Sequence, residues 1–224
     1  SQKQRNKVAE ITLEMAGNMG LIAKKCFPKA TQVTDRFHVQ QLALEAVQDM
    51  RIHYRWQALD AENDALEEAK LTGKLYEPAV LVNGDTLKQL LARSRYVLYK
   101  KATDWTPSQQ ERASLLFDRY PDLKTAYELS QSLSHIFENT TDKLYGLGRL
   151  ARWHEQVRQA GFKAFNTVAR SIQNHYETIL NFFDNRSTNA SAESFNAKIK
   201  AFRAQFRGVR NIEFFLYRLT QLYA

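Results

Sequence analysis

Residues that form tight turns are scarce in this chain. Eight glycines and four prolines occur among 224 residues, whereas the two together make up about 12% of an average globular protein. A β-sandwich or barrel needs frequent turns, so an all-β fold is not expected. Apolar residues form 44% of the chain and charged residues 25%, which is enough to bury a core and excludes a disordered chain. The sequence predicts a mainly helical fold of about one to one and a half domains.

The cysteine and apolar patterns exclude further classes of protein. The single Cys26 can form neither an intrachain disulfide nor a thiolate-rich metal site, which favours a reducing compartment. No stretch approaches the roughly 20 apolar residues that span a bilayer, and the opening residues SQKQRNK have no apolar signal region. A secreted or membrane protein is therefore not expected. The chain begins at Ser1 rather than Met, which suggests a piece of a longer protein.

Two short segments near the start have the composition of β-strands. Residues 8–14 (VAEITLE) and 30–35 (ATQVTD) are rich in β-branched side chains, and apolar residues between them recur at helical spacing. This is the pattern of a βαβ unit, whose right-handed crossover makes the two strands parallel. Glu14 and Asp35 each end a strand, so we expect their carboxylates to lie near one another at the same edge of the sheet.

After residue 37 the apolar pattern is helical to about residue 183. The pairs Thr106-Pro107 and Tyr120-Pro121 mark helix starts, because proline fits a first turn. The predicted fold is mainly α with a small α/β part, in one domain: a βαβ part at 1–38, a helical block at 39–184 and C-terminal helices at 185–224. The helices of the block are predicted at about 36–70, 85–101, 107–119, 122–138, 142–160 and 162–183.

The last segment is basic and is predicted to form a helix from Thr188 or Asn189 to about Arg207, where Gly208 ends it. Residues 186–218 hold seven basic and two acidic side chains, so +5 of the net charge of +8 lies there. An apolar stripe is predicted to be core and consists of Phe195, Ile199, Phe202 and Phe206. A second face, offset from the stripe, carries Glu193, Asn196, Lys200, Arg203 and Arg207.

Acidic residues at two places suit metal-dependent phosphoryl transfer, in which carboxylates hold divalent ions that activate a water or hydroxyl. Glu14 lies at the sheet edge, and Glu193 lies in a first helical turn, where an interaction with the helix dipole explains it equally well. Asp35 and His38 reach one face, a pattern that helix capping also explains. No His-x-x-x-His pair or Gly-rich phosphate loop occurs, so a zinc hydrolase or P-loop enzyme is not expected.

The basic tail favours an anionic partner such as DNA, which would bind through its phosphates with a strong dependence on salt. A solvated helix face over a Phe-lined core is the alternative explanation of the same charges. Three functions therefore stay open: a metal-dependent DNA enzyme, a non-catalytic helical DNA-binding protein, and a helical scaffold without nucleic acid. Duplex binding that is absent or insensitive to salt would favour the scaffold.

Two stretches of the sequence resemble the ISL3 family of bacterial insertion-sequence transposases, which belong to the DDE superfamily. The first is ITLEMAGNM with CFPKATQVTDRFHVQQLALEAVQDMR, and the second is DNRSTNASAESFNAKIKAFRAQFRGVRNIEFFLYRLTQL. Helical sequence joins them, so the resemblance covers essentially the whole chain. It implies an RNase H-like catalytic core, present here only in part, with a large helical insertion before the catalytic glutamate.

The resemblance assigns roles to individual residues. Glu193, in NASAESFN, matches the third acid of the DDE triad, and Glu14 matches the second, where the family normally has Asp. Asp35 and His38 match an Asp-x-x-His signature that follows the second acid. The first acid belongs to an earlier strand, and no residue here corresponds to it. The chain therefore looks like the carboxyl-terminal part of a transposase, which would be inactive alone.

The implied activity is metal-dependent cleavage and transfer of DNA strands, at the element's ends and at a target, in the bacterial cytoplasm. Glu14 and Glu193 would bind Mg²⁺ or Mn²⁺ in a two-metal site, with their carboxylates about 4 to 8 Å apart, while Asp35 and His38 would support the sheet edge. A decayed remnant that keeps fold and charge is the alternative. The helical block could also contact a second subunit. The residues expected to approach DNA phosphates are Arg186, Asn196, Lys198, Lys200, Arg203, Arg207 and Arg210.

Overall fold

The fold comes from a computed structural model that describes residues 2–205, 208 and 210–223, without the side chains of residues 191, 192 and 223. It is mainly helical with one small parallel sheet, as the sequence predicts. A short first helix, α1 (Gln2–Arg5), precedes the sheet. Phe206 and Arg207, which the sequence assigns to the core stripe and to the DNA-facing surface, lie outside the described residues. Within these described ranges, no helix combines the length and the apolar character of a membrane span.

The predicted βαβ unit is present. Strands β1 (Glu10–Leu13) and β2 (Thr31–Thr34) pair in parallel, with their last residues opposite each other, and α2 (Gly17–Cys26) connects them. The Asp35 amide donates to the carbonyl of the last β1 residue at 2.9 Å, so the ladder extends one residue beyond β2. Glu14 and Asp35 therefore leave the sheet at the same edge.

The longest helix, α3 (Arg36–Thr72), starts directly after the sheet. Asp35 caps its first turn, because the carboxylate accepts a hydrogen bond from the Phe37 amide at 2.9 Å. Gly73 ends the helix in the left-handed conformation, which glycine adopts without strain. The first half of the helix packs into the core through small apolar side chains, namely Val39, Ala43, Ala46 and Val47.

Two of the predicted helix starts carry the expected prolines. A capping box joins Thr106 and Gln109 around Pro107, and Pro121 opens the longest of the later helices, which packs against α3. The remaining elements are α4 (Leu87–Arg93), α5 (Arg95–Tyr99), a 3-10 turn (Ala102–Asp104), α6 (Pro107–Arg119), α7 (Pro121–Asn139), α8 (Lys143–Ala160), α9 (Lys163–Asn174), α10 (Tyr176–Leu180), α11 (Phe182–Asn185), α12 (Ala190–Gln205) and α13 (Ile212–Tyr223).

Two of the predicted helices are divided in the structure. The helix predicted at 85–101 becomes α4 and α5, separated at Ser94, whose buried hydroxyl donates to the carbonyl four residues earlier at 2.6 Å. Such back-bonding bends helices. The helix predicted at 162–183 becomes α9, α10 and α11. The first of these breaks occurs where the His175 ring bonds to the carbonyl four residues earlier, at 2.9 Å. That carbonyl would otherwise accept from the His175 backbone amide and continue the helix.

The late basic helix is present as α12, but its apolar stripe is only partly buried. Phe202 is buried, and its ring centre lies 5.3 Å from that of Phe215 on α13. Phe195 is 44% exposed. The prediction that the whole stripe is core is therefore wrong at Phe195, because α13 meets α12 near Phe202, two turns farther along.

An aromatic cluster joins α7, α8 and α11. Phe137, Phe182 and Phe183 are buried, and the rings of Phe137 and Phe183 stack with their centres 5.6 Å apart. Gly146 on α8 lies against this cluster, where a β-carbon would lie 2.7 Å from two carbons of the Phe183 ring. Helices α8 and α11 therefore approach each other at a distance that only glycine permits.

We expect Gly146→Ala to lower the free energy of unfolding by about 1 to 3 kcal/mol, the usual cost of overpacking a core. Urea unfolding followed by circular dichroism measures the change. Gly148→Ala is the matched control, because a β-carbon there meets nothing within 4 Å, and its higher helix propensity should raise stability by up to about 1 kcal/mol. Equal effects of the two substitutions would show that the Phe183 ring does not constrain α8.

Candidate active site

Three of the four catalytic residues suggested by the sequence meet where the sheet ends. Glu14 directly follows β1, Asp35 directly follows β2, and His38 lies in the first turn of α3. The Nε2 atom of His38 lies 3.5 Å from Oε1 of Glu14. The Glu14 side chain is 64% exposed and the His38 side chain 26% exposed, so this edge is open to solvent.

Glu193 reaches the same place from α12. Its carboxylate, the Asp35 carboxylate and the His38 ring each offer one atom, and these three atoms lie within 4.8 Å of one another. Asp35 is buried, His38 is half-buried and Glu193 is exposed. Glu14 contacts this group through His38. All four residues are therefore gathered at one edge of the sheet, while the predicted distance between the Glu14 and Glu193 carboxylates stays a prediction.

Both oxygens of Asp35 accept hydrogen bonds from the backbone. Oδ1 accepts from the Phe37 amide at 2.9 Å, and Oδ2 accepts from the Asn189 amide at 2.7 Å. The residue has no solvent exposure, so these two bonds to its carboxyl oxygens offset much of the cost of burying it. Asn189 directly precedes α12, and the carboxylate therefore joins the start of α3 to the start of α12.

Of the group formed by Asp35, His38 and Glu193, the two carboxylates suit a hard divalent cation. Carboxylate oxygens suit Mg²⁺ and Mn²⁺, whereas imidazole is a poorer ligand for these ions. Bonds of about 2.1 Å place two ligand atoms of one ion at most about 4.2 Å apart. The observed limit of 4.8 Å thus requires an inward shift of under about 1 Å, which the exposed Glu193 side chain can make.

The residues expected to approach DNA phosphates lie mostly on α12 and just beyond it. Those that the structure describes there are exposed to solvent: Asn196, Lys198, Lys200, Arg203 and Arg210. Glu193 lies in the first turn of the same helix and is also exposed. The candidate metal ligand therefore shares α12 with most of these residues, and Arg210 lies just beyond the end of that helix.

Arg186 differs from these cations because it bonds to the backbone inside the protein. Its guanidinium donates to the Thr140 carbonyl at 2.7 Å and to the Phe137 carbonyl at 2.9 Å, both at the end of α7. It also lies 5.2 Å from the centre of the Phe182 ring. The residue adopts the left-handed conformation, with φ of 56°, where the chain leaves α11. These contacts cap α7, and a contact of Arg186 with DNA stays a prediction.

A link between the sheet and the helical block was not predicted from the sequence. The Thr34 and Thr178 hydroxyls lie 2.7 Å apart, and the Asn181 side-chain amide donates to the Gln32 carbonyl at 2.9 Å. A small cavity of about 70 Å³ beside Glu14 is lined in part by Thr178. Threonine and asparagine between apolar residues were the only signal in the sequence, and they do not reveal a partner almost 150 positions away.

Comparison with known proteins gives one family. A family model described as transposase, of the ISL3 group and DDE type, matches residues 1–219. The transposases for insertion sequence element IS1557 from Mycobacterium tuberculosis strains CDC 1551 / Oshkosh and ATCC 25618 / H37Rv are each 29% identical to the chain over 181 residues. The match covers 80% of this chain and 39% of each relative, so the chain spans about two fifths of the length of these curated relatives. No solved structure matches the chain.

We expect Arg186→Ala to lower the free energy of unfolding by about 2 to 3 kcal/mol, because the carbonyls at the end of α7 lose a charged donor. Urea unfolding measures the change. Lys200→Ala is the control, since Lys200 is exposed on α12 and its removal should alter stability by less than about 0.5 kcal/mol. Unchanged stability of the Arg186 variant would contradict its role as a helix cap.

Proposed function

Because this chain belongs to the ISL3 family of DDE transposases, we propose that it supplies the glutamate-bearing part of a catalytic site that cuts and joins DNA. The convergence of Glu193 with Asp35 and His38, from positions far apart in the sequence, carries this proposal. The activity of the whole protein would be metal-dependent cleavage and transfer of DNA strands during transposition of an insertion sequence.

The proposed reaction has two phosphoryl-transfer steps. Water hydrolyses a phosphodiester at the element's end and leaves a 3′ hydroxyl. The oxygen of this hydroxyl then attacks a phosphorus atom of the target DNA, and a 3′ oxygen of the target strand leaves. Bound Mg²⁺ or Mn²⁺ would activate the attacking oxygen and stabilise the leaving oxygen.

The residues at the sheet edge take different parts in this proposal. Glu193 and Glu14 would hold the metal through their carboxylates, since both are exposed at the open side of the site. His38 lies within reach of Glu14 and restricts where that long side chain points. Asp35 is buried and bonded to two backbone amides, which supports a role in holding the site rather than in touching DNA.

DNA would lie along α12 in this proposal. The exposed cations Lys198, Lys200, Arg203 and Arg210 follow Glu193 along the chain, so a strand whose phosphates contact them passes the metal-binding carboxylates. Asn196 could donate to a phosphate on the same path. Counterion release from these contacts would supply most of the affinity, independent of DNA sequence.

The helical block would hold the start of α12 in place and would offer a surface for a second subunit. The sheet, the block and the tail are joined by Asn181, Arg186 and Asp35, so the block determines where the tail begins. We place the protein in the bacterial cytoplasm, where its DNA substrate is found.

A non-catalytic DNA-binding protein, such as a decayed transposase, is the second candidate. The observation in its favour is Glu14, which stands where family members normally have Asp and is one methylene longer. Such a protein would keep the basic surface of α12 and lose strand cleavage, so binding and cleavage must be measured separately.

Glu193→Gln should abolish metal-dependent nicking of a DNA that carries the element's ends, assayed with the complete reading frame. We expect a loss of more than about 100-fold, since misplacing a catalytic group by about 1 Å already has that effect. Glu213→Gln is the matched control, because Glu213 is an exposed acid in the first turn of α13, and nicking should be unchanged. Nicking that survives in the Glu193 variant would remove Glu193 from the mechanism.

Duplex binding should weaken as salt rises, and the double variant Lys200→Ala, Arg203→Ala should reduce this dependence. The slope of log affinity against log salt falls by about 0.9 for each phosphate that the protein no longer neutralises, so the double variant should lower it by about 2. Fluorescence anisotropy at several salt concentrations measures the slope. The double variant Lys124→Ala, Lys163→Ala removes two exposed cations of the helical block and should leave the slope unchanged. Equal slopes in all three proteins would contradict binding along α12.

A further inference from the structure

Asp35 is the first residue after β2, and its carboxylate accepts hydrogen bonds from the starts of α3 and α12. We infer that Asp35 is a positioning residue for Glu193: its Oδ2 atom fixes the start of α12 through the Asn189 amide, and this fixes the glutamate one turn later. The inference rests on the proposed function for its catalytic consequence, whereas the bond itself can be tested without any reaction.

The hydrogen bonds of Asp35 show why both of its oxygens matter. Oδ1 accepts from the Phe37 amide at 2.9 Å and thus caps α3, which is a local bond two residues along the chain. Oδ2 accepts from the Asn189 amide at 2.7 Å, across 154 positions. A buried carboxylate is stable when its oxygens are bonded, and here the second donor comes from the tail. Breaking the long-range bond would leave a buried carboxyl oxygen without its partner, which is costly.

The distance from this bond to Glu193 is one helical turn. The Glu193 amide donates to the Asn189 carbonyl at 2.8 Å, which is the first backbone bond of the helix. The Asn189 carbonyl therefore accepts the first backbone bond of α12, while the Asn189 amide donates to Asp35. Because four residues of a helix rise only about 6 Å, a displacement of Asn189 would move Glu193 by almost the same amount.

The described contacts of the later turns of α12 lie too far along the helix to fix the position of Glu193. Phe195, in the helix's second turn, is 44% exposed, and the buried contact of Phe202 with Phe215 lies near the far end. The bond between Asp35 and Asn189 ties the first turn to the sheet. His38 lies in the first turn of α3, which the same Asp35 caps, so one carboxylate contributes to the positions of both His38 and Glu193.

A direct role of Asp35 as a metal ligand is the competing explanation, because it belongs to the group within 4.8 Å and a carboxylate has lone pairs left after two hydrogen bonds. The two roles differ in what a substitution does to the backbone. Loss of a ligand alone would leave the Asn189 amide protected, whereas loss of the positioning bond would expose it to exchange with water.

The substitutions Asp35→Asn and Asn189→Pro together separate these roles. Asparagine keeps one side-chain acceptor, so it can still cap α3, but its amide group offers a donor where the Asn189 amide needs an acceptor. Asp142→Asn is the matched control, because Asp142 likewise caps a helix, α8, by accepting from the Tyr145 amide at 2.9 Å. Asn189→Pro is the second variant, because it removes the amide hydrogen that bonds to Asp35, together with the Asn189 side chain, and leaves Asp35 intact.

Amide hydrogen exchange of residues 189 and 193, followed by NMR, is the primary measurement. We expect exchange at least about 10-fold faster in Asp35→Asn and at Glu193 in Asn189→Pro, and unchanged exchange in Asp142→Asn. Unchanged exchange at Asn189 and Glu193 in the Asp35 variant would overturn the inference, whether or not the protein cleaves DNA.

Strand cleavage by the complete reading frame is the second measurement. Asp35→Asn and Asn189→Pro should each lower kcat by about 100-fold, as expected for a misplaced catalytic group, and leave the KM for DNA within about twofold. Faster exchange with unchanged kcat would overturn the positioning role. A wild-type protein that cleaves no DNA would refute the proposed function instead, and the exchange data would then decide on the bond alone.

Discussion

One buried carboxylate joins two parts of the chain that are 154 positions apart. Asp35 can be buried without solvent exposure because the Phe37 and Asn189 amides bond to its two oxygens. The chain that leaves the sheet at Asp35 must therefore return to the same point before α12 begins. The intervening helical block is a large loop whose ends are held together, and the entropy cost of closing such a loop grows only logarithmically with its length.

Contacts made by the helical block bring the chain back to the sheet before it forms the bond between Asn189 and Asp35. Asn181 bonds to the β2 backbone, and Gly146 lets α8 lie close to α11. Arg186 then caps α7 and turns the chain in a left-handed conformation. Each of these contacts uses a property that few other residues have: a side-chain amide that both donates and accepts, a missing β-carbon, or a guanidinium with several donors. Together they leave only three residues between the last fixed point and the start of α12.

The sequence predicts this architecture well where local chemistry determines it. The strands, their parallel pairing and the helix starts at Pro107 and Pro121 follow from β-branched runs and proline positions. The division of helices at Ser94 and His175 does not follow, because single side-chain bonds override the apolar period there. The site shows the same contrast. Proximity of Glu14 and Asp35 follows from parallel strands, whereas the bond from Asp35 to Asn189 depends on the path of the whole block.

Glu14 shows how the backbone and a side chain can affect a site separately. Its Cα leaves the sheet directly after the Leu13–Thr34 pair, as the aspartate of other family members would if their strands pair alike. The added methylene extends the carboxylate by about 1 Å, a displacement that can reduce a rate about 100-fold. The Glu14 side chain is 64% exposed, however, and it pairs with the half-buried His38, so it can bend without disturbing a packed neighbour. If Glu14 holds the metal as proposed, the cost of its extra methylene therefore depends on the side-chain conformer that His38 favours, and not on a change in the fold.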